Sequence, residues 1–194
     1  MRLILASGSA ARRAMLAAAG VKVSILPADV DEAAMKASAP AAFEAVALDL
    51  AAAKARRIAA VAPGALVIGA DQILVCDGKR FDKPETIEAA ARHLNTLRGR
   101  THALVTAACV VQDGQTLWSH IETPQLTMRH FSDAFLADYL AAEGGAICGC
   151  VGAYRLEGPG LQLFERIEGD YFTILGLPLL ALLGFLRAAG ASPV

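Results

Sequence analysis

The chain has 194 residues, of which 55% are hydrophobic and 19% charged, and a net charge of −1. That length carries one large domain or two small lobes and can bury a sizeable core. The composition excludes long disordered tails, and the near-neutral balance excludes a broad nucleic-acid surface, which calls for basic charge. A small anionic ligand needs only a few local cations. The four cysteines, at positions 76, 109, 148 and 150, are too few and too irregular for a disulfide scaffold. Cys148-Gly149-Cys150 lacks both the spacing and the nearby His of a zinc pair, and buried thiols are expected.

In chain order, Leu3-Ile4-Leu5 reads as a short strand, followed by the small-residue loop Ala6-Ser7-Gly8-Ser9 and an alanine-rich helix from Ala10 to Ala19. Ser9 is its expected N-cap and Gly20 its C′ residue. The loop leaves backbone N–H groups at a helix N-terminus, where anions are favoured. Arg12 and Arg13 in that first turn oppose the helix dipole unless something negative sits there; a phosphate would supply it, and two solvated arginines are the plain alternative. No Gly-Lys-Ser/Thr follows, so this is not a P-loop. Early Arg12-Arg13 also interrupts the apolar start before it reaches the length of a signal-peptide core.

Val21 to Ala28 alternates like a half-buried strand and ends in Asp29-Val30-Asp31-Glu32, either a metal-binding pair at 31 and 32 or a solvated acidic turn. Pro40 precedes a predicted helix, Ala41 to Val61, in which Lys54, Arg56 and Arg57 suit the C-terminal end of the dipole. After Pro63-Gly64 comes Val67-Ile68-Gly69-Ala70-Asp71-Gln72, a buried strand whose end would deliver one carboxylate to a site. A turn or cap aspartate is the alternative for Asp71. Asp77-Gly78 predicts a hairpin that pairs Gln72–Val75 with the segment after Lys79. Phe81-Asp82-Lys83-Pro84 leads into a helix, Thr86 to Leu97, with Gly99 beyond its end.

Thr101 to Val111 is apolar and β-rich, and Asp113-Gly114 turns it into a second hairpin with Thr116 to Met128. Ser132 opens a helix to Ala142, and Gly144 to Gly160 is a glycine-rich connection carrying Tyr154, Arg155 and Glu157. Leu161 to Ile167 reads as a strand. The apolar run Ile174 to Leu186 contains Pro178, falls short of the roughly 20 residues of a membrane span, and reads as a core helix with Pro178 as its first residue. With no repeat, low-complexity run or interdomain linker, residues 1–194 read as a single mixed α/β domain, cytoplasmic, with no membrane partner.

Together these residues resemble the Maf family of nucleoside triphosphate pyrophosphatases, from Leu3 to Gly190. The carriers are Leu5-Ala6-Ser7-Gly8-Ser9-x-x-Arg12, Asp31-Glu32, Leu50-Ala51-x-x-Lys54-Ala55, Gly69-Ala70-Asp71, Lys83-Pro84, Gly152-Ala153-Tyr154 and Gly176-Leu177-Pro178-Leu179. Gln72, Cys150-Val151-Gly152 and the run from Glu157 to Arg166 look like the subgroup acting on 7-methyl-GTP; the subgroup acting on dTTP and UTP usually has Thr and Gln where Gln72 and Glu157 stand. The sequence departs from the family at Asp49, Asp82 and Ala107, where Arg, Gly and Gly are usual.

The resemblance implies a mixed central sheet flanked by helices, of the kind shared with inosine triphosphatases, with a cleft between two lobes, and a homodimer. It implies hydrolysis between the α and β phosphates, with Mg²⁺ or Mn²⁺ as cofactor and a small nucleotide as substrate. Asp71 would orient or deprotonate the attacking water. Ser7, Arg12, Lys54 and Lys83 would hold phosphate oxygens, and Glu32 and Asp71 would hold the metal. Arg12, Arg13, Gln72 and Glu157 would set substrate choice. For 7-methylguanine, cationic and rich in N–H donors, a partly buried carboxylate at Glu157 would be favourable. The alternatives are a dTTP/UTP or broader modified-nucleotide pyrophosphatase, and a regulatory binding protein of septum formation.

Overall fold

The structure is a computed structural model that describes residues 2–38 and 42–191. Pro40 and the expected start of a helix at Ala41 lie outside the described residues. The first elements are β1 (Leu3–Leu5), α1 (Ala10–Ala18), β2 (Ser24–Ile25), α2 (Glu32–Ser38) and α3 (Phe43–Ala59). They are followed by β3 (Leu66–Cys76), β4 (Lys79–Phe81), α4 (Ile87–Leu97), β5 (Thr101–Gln112), β6 (Gln115–Glu122) and β7 (Gln125–Met128). Last come α5 (Asp133–Glu143), two 3₁₀ turns (Gly144–Gly149 and Pro159–Leu163), β8 (Phe164–Glu168), α6 (Tyr171–Ile174) and α7 (Leu179–Ala188). The fold is α/β. Its eight strands form one mixed sheet in the order β2-β1-β3-β5-β7-β8, with β4 on β3 and β6 on β5.

The chain divides into two compact units. The first runs to Gln72 and adds Val105–Glu122 and the chain from Asp170 on. Here β1 lies parallel to both β2 and β3, and β5 pairs antiparallel with β6. One face of this sheet packs α1 and α7 through a core that includes Leu5, Leu16, Ile68, Val110, Leu177 and Leu182. The other face carries α3. At Gly69 the contact is backbone to backbone, because a Cβ there would stand 2.0 Å from the Ala51 carbonyl oxygen and 2.9 Å from the Ala55 Cβ. Gly69→Ala should therefore push α3 off β3. We expect a loss of at least about 3 kcal/mol, the upper range of core overpacking, read as a lowered urea midpoint; an unchanged midpoint would refute this close approach.

The second unit is Ile73–Leu104 with Thr123–Gly169. Here β3 turns into β4 and β7 pairs antiparallel with β5 and β8. Its interior contains His102, 2% exposed, whose Nε2 lies 2.8 Å from the Tyr154 hydroxyl while Nδ1 has no hydrogen-bond partner among the described residues. Burial lowers the His102 pKa from 6.5 to about 4. The folded state thus binds fewer protons than the unfolded state between those values, so stability is full above pH 6.5 and lost as pH falls toward 4. That difference between folded and unfolded states is worth about 3 kcal/mol. Urea unfolding at pH 7 and pH 4.5 should differ by most of that amount, and His102→Phe should flatten the difference; an equally steep fall in the variant would assign the effect elsewhere.

Several expectations are corrected. The alternation from Val21 to Ala28 yields only the two-residue β2, and its expected end at Glu32 instead starts a helix, with Asp31 Oδ1 accepting from Ala34 N at 2.9 Å. Strand β3 continues through Asp71 to Cys76, so the aspartate stands mid-strand, not at a strand end. The run Ile174 to Leu186 is no single helix, because Gly176, at φ +103°, and Pro178 separate α6 from α7. Leu161–Leu163 form the second 3₁₀ turn, and β8 starts only at Phe164.

Candidate active site

Loop 6–9 between β1 and α1 is built as its residues require. The Ser9 side chain caps α1 by accepting from Arg12 N, and Ser7 Oγ accepts from Ser9 N at 3.2 Å. Arg12 then turns inward and Arg13 outward: Arg12 is 9% exposed, and Arg13 is exposed. The Arg12 guanidinium donates from Nε to the Gly176 carbonyl (2.7 Å) and from Nη1 to the Ala70 carbonyl (2.9 Å) and Ser7 Oγ (3.1 Å). Its Nη2 has no hydrogen-bond partner among the described residues. Ser7 Oγ receives two hydrogen bonds, so its own proton is free to be donated. Burial pulls the Arg12 pKa down from its ordinary value, and the carboxylates of Asp71 and Glu32 oppose that shift.

Those two carboxylates meet on one ammonium. Lys54 Nζ lies 2.6 Å from Asp71 Oδ1 and 2.7 Å from Glu32 Oε1. Its side chain is 11% exposed and that of Asp71 8%, whereas Glu32 at 43% opens to solvent. The dipole explanation for Lys54 therefore fails. Only Arg56 and Arg57 occupy the last turn of α3, while Lys54 points into the fold. Asp71 Oδ2 accepts no hydrogen bond from the described residues, which leaves one carboxylate oxygen for a water or a ligand.

Neighbouring Gln72 faces the other way. Side chains alternate along a strand, and Asp71 reaches α3 while Gln72 reaches α6. Its Nε2 donates to Thr106 Oγ1 (2.9 Å) and to the carbonyls of Thr173 (3.1 Å) and Ile174 (3.1 Å). Thr106 and Thr173 are fully buried. Neither was singled out from sequence, yet a threonine inside the apolar run Leu104-Val105-Thr106-Ala107 is itself a signal, since a buried hydroxyl must find a partner. Apart from His102, the buried polar residues of the described chain are Ser7, Arg12, Lys54, Asp71, Thr106 and Thr173. Polar burial is costly without pairing, so its concentration around the strand pair Asp71-Gln72 makes this cluster the candidate site of this unit.

Lys83 and Glu157 belong to the second unit, where both act on Cys150. Burial raises the thiol pKa, Glu157 raises it further, and Lys83 lowers it. Lys83 is exposed. Arg155 spans two carboxylates, with Nη1 3.5 Å from Glu143 Oε2 and Nε 3.8 Å from Glu157 Oε1. The Glu143 side chain is 5% exposed and that of Glu157 38%, so the expected partly buried carboxylate at 157 is instead a surface acid beside an arginine. All four cysteines are free thiols.

The family model for Maf-like protein matches residues 2–189. The chain belongs to the Maf family. Its relatives align end to end: a nucleoside triphosphate pyrophosphatase of Granulibacter bethesdensis is 56% identical over 96% of both chains. A 7-methyl-GTP pyrophosphatase of Mesorhizobium japonicum is 51% identical over 98% of this chain and 97% of that protein. A nucleoside triphosphate pyrophosphatase of Rhodospirillum rubrum is also 51% identical, over 97% and 95%. No helix among the described residues is long and apolar enough to cross a membrane.

Proposed function

We propose that this Maf-family chain hydrolyses 7-methyl-GTP between the α and β phosphates, giving the nucleoside monophosphate and pyrophosphate. At the coarser level it is a nucleoside triphosphate pyrophosphatase, a hydrolase of phosphoanhydride bonds. The observation that carries the chemistry is Lys54 Nζ held at 2.6 and 2.7 Å by Asp71 and Glu32. Hydrolysis at phosphorus is mostly positioning and charge neutralisation. Asp71, oriented through Oδ1, uses Oδ2 to orient or deprotonate the attacking water. Lys54 keeps that carboxylate in place and has one N–H left for a phosphate oxygen. The Ser7 proton, Arg12 Nη2 and Lys83 are the further phosphate donors.

Mg²⁺ or Mn²⁺ fits these residues. Among the described residues no group of three or more His, Cys, Asp or Glu could hold a metal. Glu32 and Asp71, however, already converge on one cation, and Mg²⁺ binds through one or two carboxylates plus water and substrate phosphates. Glu32 and Asp71 would hold it. When bound, such an ion supplies charge neutralisation on the phosphates.

The 7-methyl-GTP assignment is supported by Gln72 and Glu157 and by the Mesorhizobium relative's name. A broader nucleotide range is the second reading, favoured by the generic name of the 56% identical relative and by the half-exposed Glu157. Arg12 and Arg13 complete the proposed specificity set. We further read the chain as one cytoplasmic Maf domain acting as a homodimer, with neither nucleic acid nor membrane as a partner.

Pyrophosphate release with Mg²⁺ or Mn²⁺ across 7-methyl-GTP, GTP, dTTP, UTP and CTP tests the proposal. We expect 7-methyl-GTP to lead, and Glu157→Gln with Gln72→Thr to move preference toward pyrimidines. A wild-type preference for UTP or dTTP would retain the reaction and discard the specificity.

A further inference from the structure

Glu143, the last residue of α5, buries its carboxylate: the side chain is 5% exposed, and Oε2 accepts no hydrogen bond from the described residues. The chain closes over it at Gly158, where a Cβ would stand 3.1 Å from Glu143 Oε1. A carboxylate taken out of water and left short of a hydrogen bond opposes folding, and a glutamine of the same shape would cost less. Its charge therefore serves something other than the core. The group it faces is Arg155, whose Nη1 lies 3.5 Å from Glu143 Oε2 and whose Nε lies 3.8 Å from Glu157 Oε1. Arg155 closes a hydrogen bond on neither acid. Its backbone is fixed by the tight turn that follows, because a Cβ at Gly160 would lie 2.4 Å from the Arg155 carbonyl oxygen. One guanidinium is thus suspended between a buried carboxylate and a half-exposed one.

We propose that Glu143 is a positioning residue for substrate choice: it draws Arg155 back from Glu157 and leaves that carboxylate open to donors on the nucleobase. This rests on the reading of Glu157 as a specificity residue. A planar guanidinium pairs best with a carboxylate through two parallel N–H···O bonds, which would occupy both oxygens of Glu157. Such a pair would also cancel the negative charge that a cationic 7-methylguanine meets. Competition from Glu143 keeps the pair from closing. Burial weights that competition, since attraction to the less solvated charge is less screened. Lys83 is the other cation that acts with these three side chains on the Cys150 thiol, and it is exposed, where solvent screens it.

The test measures kcat and KM for 7-methyl-GTP and UTP in the wild type, Glu143→Gln, Glu143→Gln with Arg155→Gln, and Glu157→Gln. Each fold is checked by thermal denaturation. In Glu143→Gln the released Arg155 closes on Glu157, so the ratio of kcat/KM for 7-methyl-GTP over UTP should fall about tenfold, the effect of one lost hydrogen bond. The fall should lie in KM for 7-methyl-GTP, with kcat for UTP unchanged. Removing Arg155 as well uncovers Glu157, and the double variant should regain the wild-type ratio. A carboxylate that merely supported the loop would give no such recovery, so a double variant as poor as Glu143→Gln would overturn the proposal. An unchanged ratio in folded Glu143→Gln would overturn it too. Where Glu143→Gln does not fold, Glu143→Asp is read in its place, with a smaller fall expected and an unchanged ratio again overturning. Failure of both to fold would make the carboxylate a structural element and refute the positioning role. Glu157→Gln separates these outcomes from the specificity reading: a ratio lowered there but not in Glu143→Gln leaves Glu157 its role and denies Glu143 its own. A ratio unchanged in Glu157→Gln, or no turnover by folded wild type, removes both.

Discussion

Asp71→Asn should lower kcat for pyrophosphate release by roughly 10²- to 10⁴-fold, the usual contribution of a positioned general base, with the protein still folded. Asparagine matches aspartate in shape, and its Oδ1 can still accept from Lys54 Nζ, which keeps Glu32 as its charged partner at 2.7 Å. What disappears is basicity at the second oxygen, which the described residues leave open. The loss should fall on kcat more than on KM, because the groups assigned to the phosphates are Ser7, Arg12, Lys54 and Lys83. Single-turnover hydrolysis with saturating enzyme isolates the chemical step from product release. Retention of more than about a third of wild-type kcat would move the base role to another group, with Glu32 the next carboxylate in the same cluster.

Local chemistry made much of this fold legible. Asp77-Gly78 and Asp113-Gly114 take positive φ at both residues, as a two-residue hairpin turn demands. Ser9, Thr86 and Ser132 each cap the helix they precede. Reading failed where a distant partner decides the outcome. An acid and an amide inside an apolar run look like the end of a strand, yet β3 runs on because Lys54, from α3, satisfies one side chain and α6 the other. Lys54 itself follows the pattern of a dipole-compensating lysine, and only its tertiary partners reveal otherwise. Arg12 shows the same limit: charge opposing the dipole suggested an anion, whereas the carbonyls that hold its Nε and Nη1 come from Ala70 and Gly176. No local pattern around Arg12 encodes either carbonyl.

Lys54→Met should be the most destabilising substitution in the site. It removes the cation between two carboxylates and leaves Asp71, 8% exposed, charged beside Glu32. Breaking a buried pair from one side costs about 3–5 kcal/mol, whereas Glu32, at 43% exposure, adds only about 0–1 kcal/mol. The residual exposure of Asp71 puts the total near the lower limit, about 3 kcal/mol, or a Tm lower by about 6–12 °C for a chain of this size. A double-mutant cycle separates charge from packing. In Asp71→Asn combined with Lys54→Met the stranded carboxylate is gone, so the double variant should be more stable than Lys54→Met alone by about 1–2 kcal/mol. Simple additivity of the two single effects in urea unfolding would mean that Lys54 contributes packing rather than charge. The ammonium would then not be what holds Asp71 in position for the water.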